Sequence, residues 1–172
     1  MKQQEKAGRQ TSPKDPAIAR RCKESRVEMT EMVLPNDANR LGNLLGGRLM
    51  HMIDIIAAIA ASRHTHRVCV TASVDELHFH HPIKIGEVVI LKASVNRAFH
   101  TSVEVGVRVQ KEDLLNGKRT HTNSAYLTFV AIDDNGRPVP VPAIRPETGE
   151  EKRRYRDAAR RRQQRLLHRV RS

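Results

Sequence analysis

The first regular feature of the chain is a weak alternation over residues 26–33, where apolar Val27 and Met29 are separated by charged Glu28. A period of two residues is typical of a strand with one buried face. The segment LMHMIDIIAAIAA comes next, and because it is apolar on nearly every side it predicts one long buried helix over residues 47–64. Four β-branched or alternating runs then predict strands at residues 68–77, 87–95, 102–110 and 120–132.

Short turns rich in glycine, asparagine and proline join the last four runs, at residues 81–86, 116–117 and 133–136. Short connections make consecutive strands antiparallel neighbours. The apolar face of such a sheet needs a cover, and the buried helix is the only candidate. The sequence therefore predicts an α+β fold in which one curved antiparallel sheet wraps around a long central helix. Since one helix cannot cover five strands on all sides, a partner subunit is expected.

The net charge of +12 is confined to the two ends of the chain. Residues 1–26 carry eight basic and three acidic side chains, residues 145–172 carry eleven and four, and residues 27–144 carry twelve of each. A nucleic-acid-binding core would carry positive charge on the face that docks, so nucleic-acid binding through the core is not expected. Contact of the tails with a polyanion stays open.

This charge distribution divides the chain into three parts: a basic, disordered arm at residues 1–25, one domain at residues 26–146, and a basic C-terminal helix or tail at residues 147–172. Thr148 and Glu151 predict a capping box at the start of a helix over residues 150–169. That helix is so rich in arginine that we expect it to lie on the surface or to fray.

Several features favour a cytoplasmic protein without a membrane span. The longest apolar run is well short of the roughly 20 residues that cross a bilayer, and the N-terminus has no apolar core segment or cleavage signal. The two cysteines, Cys22 and Cys69, form no CxxC motif, and the simplest interpretation is a reducing compartment.

Common catalytic signatures are missing from the sequence, which contains no GxxxxGK[ST], GxGxxG, GxSxG or HExxH motif. Nucleotide hydrolysis, dinucleotide redox chemistry and serine-hydrolase chemistry therefore lack their usual residues. His78, His80 and His81 form the cluster HFHH, but no cysteine or carboxylate joins them at a convincing ligand spacing. We interpret them as surface or turn histidines and predict no metal site.

Asp54 is the one acid inside the apolar helix. A carboxylate buried there costs several kcal/mol unless it is paired or protonated. A structural interpretation pairs Asp54 with Arg48 or Arg63, although neither spacing matches helix neighbours. A functional interpretation makes Asp54 a general base or nucleophile with a raised pKa. The pattern by itself does not decide between them.

The loop before the helix favours the functional interpretation. Gly46 and Gly47 stand at the helix start, where first-turn N–H groups have no intrahelical acceptor and the helix dipole is positive. Glycine lets a substrate carbonyl approach this backbone closely, which makes the site a candidate oxyanion hole. Asn43 could add a side-chain donor or orient a water molecule. The alternative is that the glycines only form a tight turn.

These residues together resemble the hotdog-fold acyl-CoA thioesterases, in particular the cytosolic long-chain acyl-CoA hydrolases and their single-domain bacterial relatives. The resemblance spans about residues 26–155. It rests on DANRLGNLLGGRLMHMID at residues 37–54, VTASVD at 70–75, TSVEV at 101–105, PVPVP at 138–142 and PET at 146–148. The basic N-terminal arm departs from the family pattern.

The resemblance implies a hotdog fold, assembled as homodimers and often as trimers of dimers, and hydrolysis of an acyl-CoA thioester to a fatty acid and CoA. It implies that Asp54 and Asn43 act together across a dimer interface, one from each subunit. The backbone amides of Gly46 and Gly47 would receive the thioester carbonyl. No cofactor is implied, because CoA is part of the substrate and the product.

The resemblance also places Thr101 and Ser102 near bound CoA. Arg97, at the end of its strand, is a candidate partner for the CoA phosphates, with a solvated surface charge as the alternative. Two other functions stay open. One is a hotdog module that binds CoA or acyl-CoA without catalysis. The other is a hotdog dehydratase that uses His51 and Asp54, which lie one helical turn apart.

Overall fold

The computed structural model describes residues 18–75, 77 and 81–169. Two helices and seven strands form in this part of the chain. In chain order they are β1 (Arg20–Arg21), β2 (Val27–Met32), α1 (Gly46–Thr65), β3 (Val68–Val74), β4 (Val88–Ala98), β5 (Ser102–Asp113), β6 (Lys118–Ile132), β7 (Ile144–Arg145) and α2 (Gly149–Arg169). Short 3₁₀ turns occupy Cys22–Ser25 and Pro35–Asp37.

Five strands form one antiparallel sheet in the order β2-β4-β5-β6-β3. The alternating valines of β5, from Val103 to Val109, all point to the side of α1 and belong to the buried core. Leu127 and Phe129 of β6 do the same. The predicted α+β architecture, a curved antiparallel sheet around a central helix, is therefore confirmed. β4, β5 and β6 continue beyond their predicted ends because hydrogen bonding between neighbours extends the ladder past the apolar runs.

Helix α1 begins one residue earlier than predicted and is not buried on every side. Ile53, Ile56, Ala57 and Ala60 are fully buried against the sheet. On another side of the helix, however, Ile55 and Ile59 are 37% and 38% exposed. The prediction of a helix buried all round is thus wrong for the single chain.

The disordered arm predicted over residues 1–25 extends too far toward the domain, because residues 20–25 are ordered. Arg20 and Arg21 pair in parallel with β7. Cys22 and Ser25 are buried, and the Ser25 hydroxyl donates to the carbonyl of Cys22 and accepts the Val95 N–H. Residues 20–25 are therefore packed, because a few small buried side chains anchor a segment whose composition is otherwise polar. Residues 1–17 lie outside the described part of the chain.

Helix α2 lies on the surface of the sheet and is not frayed in its described residues, so the first of the two alternatives expected from its arginines is the one observed. The predicted capping box is confirmed: the Glu151 N–H donates to the Thr148 hydroxyl, and the Glu151 carboxylate accepts the Thr148 N–H. Arg161 and Arg165 of α2 form ion pairs with Glu104 on the outer face of the sheet, whereas Arg153, Arg154 and Arg160 pair with acids of α2 itself. In the described part of the chain, no helix is long and apolar enough to cross a membrane.

His64 provides a test of the packing at the end of α1. It is fully buried; its Nε2 lies 2.8 Å from the carbonyl of Pro142, and its Nδ1 has no partner. Burial lowers the pKa of His64, outweighing the hydrogen bond to Pro142, which raises it. The unfolded chain therefore binds a proton below about pH 6.5 while the folded protein resists it.

Stability contributed by neutral His64 is accordingly present above about pH 6.5 and lost as the pH falls toward the folded-state pKa. We expect the wild type to lose more unfolding free energy between pH 7 and pH 5 than His64→Gln, whose amide can still donate to Pro142. Urea unfolding at fixed protein concentration measures both losses. Equal losses in the two proteins would show that His64 does not contribute.

Candidate active site

The N-terminus of α1 opens onto a structured loop and has no side-chain cap. The N-cap is Leu45, and no side chain in the described residues accepts the first-turn N–H groups. Arg48, on the first turn, donates to Asp37 at 2.9 Å and ties the helix start to the loop. Gly46 and Gly47 are exposed, and a Cβ built on Gly47 would meet nothing within 4 Å. Their amides are therefore free to donate to a ligand.

A cavity of about 300 Å³ lies directly beside these amides. Gly46, Leu49 and Asn43 line one side. His81, Pro82 and Ile83, from the segment that leads into β4, line the other. The cavity is lined mostly by apolar groups with a few polar ones, which is the usual character of a small-molecule site.

Asn39 organises the loop, and the sequence interpretation missed it. Its Oδ1 accepts the N–H groups of Leu41 at 2.9 Å and Asn43 at 3.2 Å, an Asx-type turn. Its Nδ2 donates to no described residue. Asn43 is held by its backbone, which bridges to Lys84, while its side chain lines the cavity.

Asp54 lies on the third turn of α1 and is half-buried. The hydroxyl of Thr71, on β3, donates to Asp54 Oδ1 at 2.8 Å. No described arginine pairs with Asp54: Arg48 binds Asp37, and Arg63 donates to the carbonyl of Arg26. The structural interpretation of Asp54 as half of an ion pair is therefore wrong. The contact to Thr71 holds one carboxylate oxygen, and no donor among residues 18–75, 77 and 81–169 contacts the other.

Within one chain, Asp54 and the helix start are far apart. Asp54 follows Gly46 by eight residues, and at 1.5 Å per residue that is about 12 Å along the helix axis. A carbonyl bound at the Gly46 amide could not contact Asp54 of the same chain. The structure brings Asn43, Gly46 and Gly47 together and places Asp54 apart from them.

The three residues predicted to bind CoA lie at the turn between β4 and β5, beneath α2. The Arg97 guanidinium stacks 4.0 Å from the ring centroid of Tyr155 and donates to the Tyr155 carbonyl. Ser102 is buried and accepts a hydrogen bond from Arg162, and Thr101 is half-buried. Arg97 and Ser102 thus contact α2, and their role in CoA binding stays a prediction.

In the described part of the chain, no histidine contacts Asp54. His51 is exposed on α1, and no hydrogen bond or ion pair joins it to Asp54. Among the residues that the structure describes, no group of three or more histidine, cysteine, aspartate or glutamate side chains could hold a metal ion. His78 and His80 lie outside those residues.

Comparison with known proteins gives consistent matches. A model described as the Thioesterase superfamily matches residues 41–118. The "Uncharacterized acyl-CoA thioester hydrolase YkhA" of Bacillus subtilis is 48% identical over 130 residues, which is 76% of each protein. A Staphylococcus aureus acyl-CoA hydrolase, solved with butyryl coenzyme A and coenzyme A, has a TM-score of 0.84 at 38% identity and covers 89% of this chain and 93% of its own.

Two further solved structures are informative. An apo-hexameric acyl-CoA thioesterase has a TM-score of 0.84 at 40% identity, covering 87% of this chain and 97% of its own. The S. aureus enzyme has also been solved as single alanine variants of an aspartate, an asparagine and a threonine. In that enzyme the asparagine precedes the aspartate by 15 residues and the threonine follows it by 17.

Proposed function

The chain belongs to the acyl-CoA hydrolases of the thioesterase superfamily, and we propose that it hydrolyses acyl-CoA to a free acid and CoA with Asp54 as its reactive carboxylate. The observation that carries this proposal is the pair formed by Asp54 and Thr71. An acid inside an otherwise apolar helix receives one positioned hydroxyl, and no cation from the part of the chain that the structure describes. That arrangement orients a carboxylate without neutralising it, as a general base or nucleophile requires.

The spacing of the S. aureus variants supports the same residues. In this chain Asn39 precedes Asp54 by 15 residues and Thr71 follows it by 17, the same two intervals. In this structure the Thr71 hydroxyl donates to Asp54, so two of the three matched positions are in contact. We therefore propose Asn39, rather than Asn43, as the asparagine that orients the water molecule or the carbonyl. Asn43 lines the cavity beside Gly46, and its predicted catalytic role stays a prediction that the comparison of variants below tests.

A second subunit would complete the site. Since about 12 Å separates Asp54 from its own helix start, the carbonyl bound at Gly46 and Gly47 of one subunit would meet Asp54 of the other. The surface beside Asp54 fits such a partner: β3 is an edge strand of the sheet and exposes apolar side chains, as α1 does. These side chains are Val68, Val70, Val74, Ile55 and Ile59.

We propose a homodimer as the active unit and a trimer of dimers as the assembly. The hexameric state of one structural neighbour supports the larger assembly. Both Cys22 and Cys69 are free thiols, in keeping with the cytoplasmic location that the sequence predicts.

The chemistry follows from these positions. The thioester carbonyl oxygen accepts hydrogen bonds from the first-turn amides, which strengthen as negative charge develops on it. In one route Asp54 removes a proton from water, and the resulting hydroxide attacks the carbonyl carbon. In the other, Asp54 attacks directly to give a mixed anhydride that water then hydrolyses. In both routes the C–S bond breaks, CoA leaves as its thiol after protonation, and the acid is released.

Release of free thiol from a panel of acyl-CoAs, from short to long chains, tests the function. Purified oligomer is expected to release CoA, and the panel gives its chain-length preference. Binding of CoA with no release would identify a binding module instead. Conversion of a 3-hydroxyacyl-CoA with CoA still attached would identify a dehydratase, which the lack of contact between His51 and Asp54 disfavours.

The choice between the two asparagines makes a separate prediction. Asn39→Ala is expected to lower kcat by about 100-fold, because it removes a donor that acts on the developing charge or on the attacking water. Asn43→Ala is expected to have a much smaller effect that appears mainly in KM, because its side chain only lines the cavity. Steady-state kinetics on the preferred acyl-CoA measure both. The reverse order of effects would restore Asn43 to the catalytic role.

A further inference from the structure

The outer face of the sheet, on the side away from α1, holds a second pocket beneath the first turns of α2. It encloses about 340 Å³, a volume at the small end of natural ligand sites. β4, β5, β6 and α2 all contribute to its walls. The valines of β5 that face α1 alternate with the residues that line this pocket, so the sheet separates it from Asp54. We propose that this pocket binds a small organic phosphate.

The walls carry more positive than negative charge. Lys92 of β4 and Arg108 of β5 are direct neighbours in the sheet register, where like charges on facing residues are destabilising. Arg153 and Arg154 project from α2 on the other side, and Glu150 is the only acid among the described residues that line the pocket. Four cations and one carboxylate around one small volume give the pocket a net positive charge.

The ion pairs available nearby offset only part of this charge. Lys92 pairs with Glu28 at 3.1 Å, Arg153 pairs with Asp157 at 3.2 Å, and Arg154 pairs with Glu150. Arg108, which is exposed, forms no ion pair or side-chain hydrogen bond with any described residue. A phosphate group in the pocket would supply acceptors for it.

A second, independent feature of the pocket is the buried amide of Asn96. This side chain is 3% exposed, its Nδ2 donates to Glu104, and its Oδ1 has no partner. A buried acceptor without a donor is costly. Gly106 provides the space, because a Cβ there would lie 2.6 Å from Asn96 Nδ2. A hydroxyl or amino group on the phosphorylated molecule would donate a hydrogen bond to the Asn96 oxygen. Inorganic phosphate offers fewer such donors.

Isothermal titration of the intact oligomer at low salt tests the proposal with two probes, inorganic pyrophosphate and ribose 5-phosphate. We expect both to bind the wild type. Binding should weaken at least fivefold in Arg108→Ser and in Arg153→Ser, which change two different elements. Arg137→Ser, which removes an exposed arginine from the turn after β6, is the matched control and should bind as the wild type does. Thermal unfolding checks that each variant is folded.

A competition arm distinguishes the two sources of such a phosphate. If CoA displaces the probes and Arg108→Ser raises KM for acyl-CoA, the pocket holds the phosphates of the substrate itself. If the probes bind without displacement and without a change in KM, the ligand is a separate metabolite. Absence of binding at millimolar probe, or equal affinity in the wild type and both pocket variants, would overturn the proposal.

Discussion

Asp54→Asn is expected to lower kcat/KM for acyl-CoA hydrolysis by at least about 100-fold, the usual range for loss of a general base, and by more if Asp54 is the nucleophile. Asparagine has nearly the same shape and can still accept the hydrogen bond from Thr71, so the packing of α1 should be unchanged. The substitution removes only the negative charge and the ability to take a proton. Initial rates of thiol release at saturating and limiting substrate measure the loss.

Two controls limit the interpretation of that result. The affinity for CoA should change little in Asp54→Asn, because the proposed role of Asp54 is at the thioester carbon, and that bond is absent from free CoA. Thr71→Val should give a smaller loss than Asp54→Asn, since it leaves the carboxylate in place but free to rotate. A fully active Asp54→Asn enzyme would exclude Asp54 from the chemistry.

Arg161→Leu is expected to destabilise the folded protein by about 3 kcal/mol, the range seen when one partner of a buried ion pair is removed. Glu104 has no exposed surface, and Arg161 donates to both of its oxygens, at 3.2 and 2.6 Å. Burial alone would lower the pKa of Arg161, but its hydrogen bond and charge interaction with Glu104 outweigh burial and raise it. Loss of Arg161 leaves the Glu104 carboxylate with Asn96 and a longer contact to Arg165.

Urea unfolding at fixed protein concentration measures this effect, since dissociation of an oligomer would otherwise shift the midpoint. Arg160→Leu is the matched control: Arg160 is the preceding arginine, its side chain is 79% exposed, and its contact with Asp157 is on the surface. It should change the unfolding free energy by less than about 0.5 kcal/mol. Equal effects of the two substitutions would show that α2 is not anchored by Glu104.

The sequence was sufficient for the main elements because α1 and the core strands carry strong local signals. The apolar pattern that predicts α1 and the alternation that predicts β5 each lie within one continuous segment of the sequence. The packing of α2 depends on contacts that are distant in sequence. Glu104 lies 57 residues before Arg161. The position of Glu104 in VEVGV predicts only that its side chain faces away from the valines. Nothing in the sequence pairs it with an arginine of α2, so the sequence predicts a solvated or frayed helix there.

The candidate site was predictable to a similar extent. Asp54 is conspicuous as an acid in an apolar helix, and the glycines mark the helix start. Thr71 can be recognised as a partner of Asp54 only from the structure, which places β3 beside α1. Hydroxyl side chains are common in strands, so the sequence alone does not single out this threonine. The prediction of Asn43 as a catalytic residue rests on its position three residues before Gly46. The proposal of Asn39 as a catalytic residue rests on the loop geometry and on the spacing of residues in the S. aureus enzyme, neither of which the sequence alone contains.

We propose that each active site combines Asp54 of one subunit with Asn39 of another. Complementation between two inactive variants tests this shared site. Asp54→Asn and Asn39→Ala chains, co-expressed in equal amounts with different affinity tags, assemble into mixed dimers in which one of the two sites is intact. With random pairing we predict recovery of about a quarter of the wild-type rate of thiol release. Recovery no greater than the sum of the two variants alone would contradict the shared site.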